Sequence, residues 1–304
     1  MNAILTGATG FIGGWLAEEL TRKGDRVTLI VRNKDKLAHE IVNSNCVTVI
    51  EKDIFNITEK DFHDDYYDVC YNLAWDGVTP EQKNNVSLQL HNIEATNHLL
   101  ETCVSVNCKR FISSGTVAEY ALYNGIIDVS AKQTPNDIYG AAKASAYYIL
   151  EVRARQLGIP FNWIVIPSTF GERRTDNNII TYTIKTLLNK EIPQYGNLEQ
   201  MWDFLYVGEV AKAIRLLAEF GKPNKVYGIG SGEYRLLREY ISSIRDIIDP
   251  SLELGIGMIP SMSNKTFSSC VNIYDLIRDT GFKPEISFEE GIKKTVEWFK
   301  HKNN

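Results

Sequence analysis

Hydrophobic positions in the first half of the chain fall in short continuous runs rather than the strict alternation of a half-exposed sheet. Ala3–Leu5, Val27–Val31, Val47–Ile50, Val69–Leu73, Arg110–Ser113 and Asn162–Ile166 are such runs. Between them apolar residues recur at helical spacing, as Phe11, Trp15, Leu16 and Leu20 do before Gly24, and again near 82–105 and 139–157. Strands apolar on both faces, alternating with amphipathic helices, predict a parallel sheet covered on both sides. The expected fold class is α/β with a doubly wound parallel sheet.

After Pro167 the pattern loosens. The polar segment Gly171-Glu172-Arg173-Arg174-Thr175-Asp176-Asn177-Asn178 separates the regular half from the rest. Helices are expected near 179–189, 207–220, 235–247, 272–280 and 287–300, with a strand at Val226–Ile229. The domain reading is a first unit over 1–170 and a smaller α/β unit over 171–304. Some elements of 203–230 are expected to pack back onto the first.

Composition narrows the class. In 304 residues, 44% are hydrophobic and 23% charged, enough to bury a sizeable core. A net charge of −5 and a pI near 5.7 argue against nucleic acid or an anionic membrane as partner. Mean hydropathy is −0.20 and no apolar run approaches the length of a membrane span. Met1 leads straight into a strand and a glycine turn, unlike a signal peptide. Five cysteines without a Cys-x-x-Cys pair suit a reducing compartment, and the five histidines show no metal-ligand spacing. A cytoplasmic protein without a metal is expected.

The turn Thr6-Gly7-Ala8-Thr9-Gly10-Phe11-Ile12-Gly13 lies directly between the first strand and the first helix. Gly7 permits the tight turn, Gly10 lets backbone approach a pyrophosphate, and Gly13 lets helix and strand pack closely. Unpaired N–H groups at the helix start then face the phosphates. Dinucleotide binding is the expectation, by Gly7, Thr9, Gly10, Phe11, Ile12 and Gly13. NAD binders place an acid after the second strand, whereas this chain has Arg32, followed by Lys34 and Lys36. Arg32 and Lys36 favour the 2′-phosphate of NADP(H), a solvated loop and NAD(H) remaining the alternative. Asp53 and Ile54, after the third strand, are placed to meet the adenine edge.

Tyr139 and Lys143 stand one helical turn apart on one face. A tyrosine with an ordinary pKa near 10 becomes a usable acid or base beside an ammonium and a nicotinamide cation. Upstream, Phe111-Ile112-Ser113-Ser114-Gly115-Thr116-Val117 brings hydroxyls to the end of a strand, where ligands bind in open α/β sheets.

Together the glycine turn, Ser114 and Tyr139-x-x-x-Lys143 resemble the extended short-chain dehydrogenase/reductases, in their sugar-nucleotide epimerase/dehydratase/reductase branch. Leu73-Ala74, Asn92-Ile93-x-x-Thr96, Pro167-Ser168-Thr169-Phe170-Gly171, Asp203-Phe204-Leu205-Tyr206-Val207 and Gly281-Phe282-Lys283-Pro284 extend the resemblance along nearly the whole chain. It implies a Rossmann domain, a C-terminal substrate domain and a homodimer through the helices near 82–105 and 139–157. It adds Leu73, Ala74, Asn92, Pro167 and Thr169 to the cofactor residues. It makes Tyr139 the proton donor or base, Lys143 the holder of the nicotinamide ribose and Ser114 the partner of the reacting oxygen. Trp75, Thr116 and Asn178 are the candidate substrate contacts, with packing roles for Trp75 and Thr116 left open.

Two departures from the family pattern narrow the chemistry. The 4,6-dehydratases carry an acidic pair after the strand-end hydroxyl, where this chain has Gly115-Thr116. The Arg that often precedes Asp-Phe is Trp202 here, so Arg173, Arg174, Lys265 or the Asn177–Asn178 backbone would have to meet the substrate phosphates. The resulting expectation is an NADP(H)-dependent reductase of a nucleoside-diphosphate keto-sugar of the 4-keto-6-deoxyhexose type. A nucleotide-sugar epimerase using the same residues, and a non-catalytic dinucleotide sensor, are the alternatives.

Overall fold

The computed structural model describes residues 1–260 and 269–302. The strands are β1 (Asn2–Thr6), β2 (Arg26–Val31), β3 (Val47–Glu51), β4 (Val69–Asn72), β5 (Phe111–Thr116), β6 (Phe161–Ile166), β7 (Ser168–Phe170), β8 (Met201–Trp202), β9 (Phe204–Tyr206), β10 (Lys225–Gly228) and β11 (Arg235–Leu236). The helices are α1 (Phe11–Arg22), α2 (His39–Val42), α3 (Val86–Ser105), α4 (Ile138–Leu157), α5 (Ile179–Leu188), α6 (Val207–Phe220), α7 (Leu237–Ile248), α8 (Tyr274–Thr280) and α9 (Phe288–Lys302). Among the described residues no helix is long and apolar enough to cross a membrane.

Seven strands form one parallel sheet in the order β10-β6-β5-β4-β1-β2-β3. This is a Rossmann-like doubly wound fold. The chain leaves β1 toward β2 and β3, then returns to β4 on the other side, so the direction of winding reverses between β1 and β4. Ligand crevices open at the carboxyl ends of strands at such a switch point.

Both faces of the sheet are covered, which is why its strands read as continuous apolar runs. On one face Leu5, Val27 and Leu29 pack with Leu16 and Leu20 of α1, Ile214 and Leu217 of α6, and Leu276 of α8. On the other, Cys70, Phe111 and Trp163 pack with Leu99 and Cys103 of α3 and Ala146 and Leu150 of α4. A third cluster gathers Ile184 of α5, Ile241 and Ile244 of α7, and Ile292 and Val296 of α9 around Phe170, Phe204 and Tyr206.

The residues after 171 therefore divide. α5, α7 and α9 build the cluster beside the carboxyl edge of the sheet. α6 and β10 return to the sheet, and α8 returns with them, so the segment that packs back extends beyond 203–230.

Gly7 has φ +79°, and a Cβ on it would lie 2.8 Å from the Leu73 carbonyl carbon. A Cβ on Gly13 would lie 2.1 Å from the Gly7 carbonyl oxygen. The first turn of α1 thus rests directly on the backbone of the glycine turn. Gly13→Ala is expected to cost at least about 1–3 kcal/mol, as overpacking against fixed backbone does. Gly14→Ala, whose Cβ meets nothing nearer than 3.3 Å, should cost much less. Chemical denaturation of both variants measures the contrast.

Candidate active site

The glycine turn closes through Gly10 N–H, which donates to the Gly7 carbonyl at 2.9 Å. Gly10 caps α1 with no side-chain hydrogen bond and no acid follows in the first turn, so the amides at the helix start face the crevice. Thr9, Gly10 and Phe11 line a cavity of about 300 Å³ together with Lys36, Leu37 and Arg173. An uncapped helix start, a glycine cradle and a neighbouring lysine suit the pyrophosphate and sugar of a dinucleotide. Behind the turn, Thr6 Oγ1 donates to Asn72 Oδ1 at 2.8 Å and accepts Ala74 N–H at 3.3 Å. Asn72 Nδ2 donates to Ser113 Oγ at 3.0 Å. This buried ladder ties the ends of β1, β4 and β5 together and sets Leu73 and Ala74 against the turn.

Arg32 follows β2, and its guanidinium forms a two-pronged ion pair with Asp76 at 2.7 and 2.8 Å. That pairing raises the Arg32 pKa against partial burial, with the charge of Asp53 adding to it. Asn92 accepts Asp76 N–H and donates to the Asp76 carbonyl, each at 2.9 Å. The amide read as a cofactor contact is thus committed to the turn that presents Asp76 to Arg32. Asp53 Oδ1 accepts Phe55 N–H at 2.9 Å, leaving Ile54 half-buried beside it.

Asp137 caps α4 by accepting Gly140 N–H at 2.7 Å, which puts Tyr139 in the first turn and Lys143 in the next. Lys143 is buried, and its ammonium donates to the Ser114 carbonyl at 2.8 Å. It lies 3.8 Å from the centroid of the Trp75 ring and 5.8 Å from that of Trp163. Burial pushes its pKa down while the carboxylate of Glu119 pulls it back up. Trp75 is held by its indole N–H, which donates to Gln89 Oε1 at 2.8 Å, and meets Tyr139 edge-on at 6.5 Å. Burial pushes the Tyr139 phenol up to about 12, a hydrogen bond with the Thr116 side chain opposes this, and the Glu119 charge adds to it.

Both strand-end hydroxyls were expected in this site, and the structure gives them different neighbours. Ser114 offers its carbonyl to Lys143, while the Thr116 hydroxyl accepts Ala118 N–H at 3.3 Å and lies near enough to Tyr139 to oppose the rise in its pKa. On sequence grounds Glu119, like Asp76, is only a carboxylate that could approach from another loop, not a candidate site residue. Its carboxylate accepts Thr116 N–H at 2.7 Å, Trp163 Nε1–H at 3.1 Å and Gln133 Nε2–H at 2.6 Å. Thr116-Val117-Ala118-Glu119 has the T-x-x-E form of a capping box, a signal that could have found it.

The remaining candidates spread along the crevice. Pro167 links β6 to β7, and Thr169 accepts hydrogen bonds from Arg174 Nη1 through its carbonyl and its hydroxyl. Arg174 also pairs with Asp176 at 2.8 Å and lies 5.3 Å from the Phe11 ring centroid. Arg173 pairs with Glu18 and stacks on Trp15. Asn178 Oδ1 caps α5 by accepting Ile180 and Thr181 N–H, so its acceptor is already used. Trp202 lies across from Arg235, whose guanidinium is held by Glu233 and Glu289. Lys265 lies outside the described residues.

The profile of the NAD dependent epimerase/dehydratase family matches residues 3–230. The chain belongs to that family. It is an enzyme of the extended short-chain dehydrogenase/reductase type. A dTDP-D-glucose 4,6-dehydratase of Dictyostelium discoideum is 24% identical over 99% of this chain and 82% of its own length. Among solved structures, a UDP-N-acetylglucosamine 4-epimerase from Methanobrevibacter ruminantium M1 superposes with a TM-score of 0.87 at 27% identity, covering 99% of this chain and 98% of that one. A UDP-glucuronic acid 4-epimerase from Bacillus cereus, in complex with UDP-glucuronic acid and NAD, has a TM-score of 0.86 at 22% identity and covers 99% of each chain.

Proposed function

We propose that this protein is an NADP(H)-dependent reductase of a keto-sugar carried on a nucleoside diphosphate, of the 4-keto-6-deoxyhexose type. The observation that carries this reading is that the two positions after Ser114, at the strand end that meets Tyr139, are Gly115 and Thr116 and bring no carboxylate. Elimination of water from a sugar needs a general acid at the leaving hydroxyl. Positions 115 and 116 hold none, and Glu119 lies fully buried with three donors on its carboxylate. Hydride chemistry at one carbon needs only one exchanged proton. The nicotinamide supplies the hydride when bound. The chain's part is to give the Tyr139 proton to the alkoxide as it forms, with the Thr116 hydroxyl orienting the phenol. Lys143 holds the ribose and the phenolate left behind. Trp75, beside both, bounds the sugar pocket.

A second reading, epimerisation by oxidation and re-reduction on the opposite face, is favoured by the whole-length likeness to the 4-epimerase at 27% identity. Arg32 and Lys36 favour NADP(H), although the family's description is NAD dependent and Arg32 must exchange Asp76 for a 2′-phosphate. The intact Tyr139 and Lys143 speak against a sensor without catalysis. We also infer a homodimer. Val86 and Leu90 on α3 and Tyr148, Ile149 and Val152 on α4 expose an apolar stripe of the kind that marks an interface. Because the five cysteines include no Cys-x-x-Cys pair, the reducing cytoplasm is the setting we propose.

Purified protein incubated with NADPH and a panel of nucleoside-diphosphate 4-keto-6-deoxyhexoses should consume NADPH, with a two-hydrogen gain seen by mass spectrometry. Loss of water from a nucleoside-diphosphate hexose would overturn the reading, and interconversion without net cofactor use would establish the epimerase. In the same assay Tyr139→Phe should cost at least about 10²-fold in turnover with cofactor binding retained. Thr116→Val should cost more than Ser114→Ala.

Calorimetric titration should show tighter binding of NADPH than of NADH. Arg32→Ala should weaken NADPH about 10- to 100-fold, the worth of a charge-assisted bond, and leave NADH nearly unchanged. Light scattering should report a dimer mass for the wild type and a monomer mass for Leu90→Asp combined with Val152→Asp.

A further inference from the structure

Behind the end of β5 lies a buried acid that the proposed chemistry does not use directly. Glu119 is 0% exposed, and all its partners belong to the site or support it. It fills the space left by Gly115, where a Cβ would stand 2.2 Å from Trp163 Nε1 and 2.6 Å from a Glu119 oxygen. Through Thr116 N–H it fixes the turn whose hydroxyl meets Tyr139. Its own carbonyl accepts Thr134 N–H at 2.7 Å, anchoring the loop that leads into α4. Lys143 reaches the same strand end from the other side, bonding the carbonyl of Ser114, the residue before Gly115.

We propose that Glu119 is a positioning residue of this site: its buried carboxylate sets the Thr116 turn against Tyr139 and is the counter-charge that keeps Lys143 an ammonium. An ammonium taken out of water with only a carbonyl and two indole faces sheds its proton unless an anion stands near. Glu119 is the carboxylate at that strand end, bonded at 3.1 Å to the indole N–H of the Trp163 ring that Lys143 also faces. Burial raises the Glu119 pKa and lowers that of Lys143, and the charge each presents to the other opposes both shifts. The titratable groups facing the pair are Tyr139 and Tyr147 on α4, Tyr120 beside Glu119, and Asp137 at the start of α4. Burial pushes the phenols of Tyr120, Tyr139 and Tyr147 up and the Glu119 charge adds a smaller push, which holds them protonated. Tyr139 therefore stands as a phenol ready to donate, the form that reduction requires. This last step rests on the reductase reading, whereas the pairing of Glu119 with Lys143 does not.

The test uses the full chain with Glu119→Gln, Lys143→Met and the double variant, reading thermal midpoints from about pH 5 to pH 8 and turnover where a substrate is in hand. The amide introduced in E119Q keeps an acceptor for Thr116 N–H, and the buried Gln133 Oε1, which has no partner, can turn to meet its NH₂ group. In E119Q the lone Lys143 has a depressed pKa, and stability is lost as pH falls below the unfolded value. Its midpoint should therefore rise with pH relative to wild type. In K143M the lone Glu119 has a raised pKa, and stability is lost as pH rises toward the folded value. Its midpoint should fall with pH relative to wild type, and the double variant should show neither trend. Turnover of E119Q should drop at least about tenfold at neutral pH, with the alkaline limb of kcat/KM moved to lower pH.

Midpoint curves of E119Q and K143M parallel to wild type would overturn the proposal whatever the reaction. If E119Q does not fold, the K143M trend and its loss in the double variant decide alone. Opposed trends with no keto-sugar reduced at any pH would sustain the pairing and fail the reductase reading instead.

Discussion

A single ammonium taken out of water organises the reacting end of this enzyme. Lys143 sits on a helix face that points into protein, and its charge must be met there. The chain meets it with the Ser114 carbonyl and the faces of Trp75 and Trp163. Each partner brings a requirement of its own. The Trp75 indole needs Gln89, the Trp163 indole needs the Glu119 carboxylate, and that carboxylate needs the space that only glycine leaves at position 115. Gly115 is thus explained by the charge two layers away from it, without touching a ligand.

The cofactor end follows a different logic. There the groups suited to an anion are mostly backbone: a helix start without a side-chain cap and a turn that begins and ends on glycine. The side chain that stands after β2, Arg32, is held by an acid from the far side of the switch point. One crevice therefore combines a fixed backbone cradle with an exposed ion pair that is free to exchange partners.

The main sheet was legible in the sequence because strands buried on both faces leave continuous apolar runs. The strands β7, β8, β9 and β11 were not, since two or three residues carry no period. α8 was expected as a helix, but an amphipathic stripe does not say which surface it will cover, and it covers the first domain. Within the site, the glycine turn and the Tyr139–Lys143 spacing are local signals and could be read directly. The surroundings of Ser114 and Thr116 could not, because two residues apart on a strand share a face and the position of α4 decides what stands beside each. The Arg32–Asp76 pair joins residues distant in sequence, and Asn178 looked like a ligand contact for the same chemical reason that makes it a helix cap.

The return of β10, α6 and α8 to the main sheet bears on how this chain could be dissected. A cut after residue 170 would not release an intact nucleotide-binding unit. It would strip the edge strand from β6, leave the backbone along Asn162–Val165 without its neighbour, and uncover Leu16 and Leu20 where α6 had lain. An unprotected parallel edge beside bare apolar surface recruits other chains. The two units are interleaved rather than joined end to end, so the smallest fragment that keeps the crevice closed on both sides is close to the whole polypeptide.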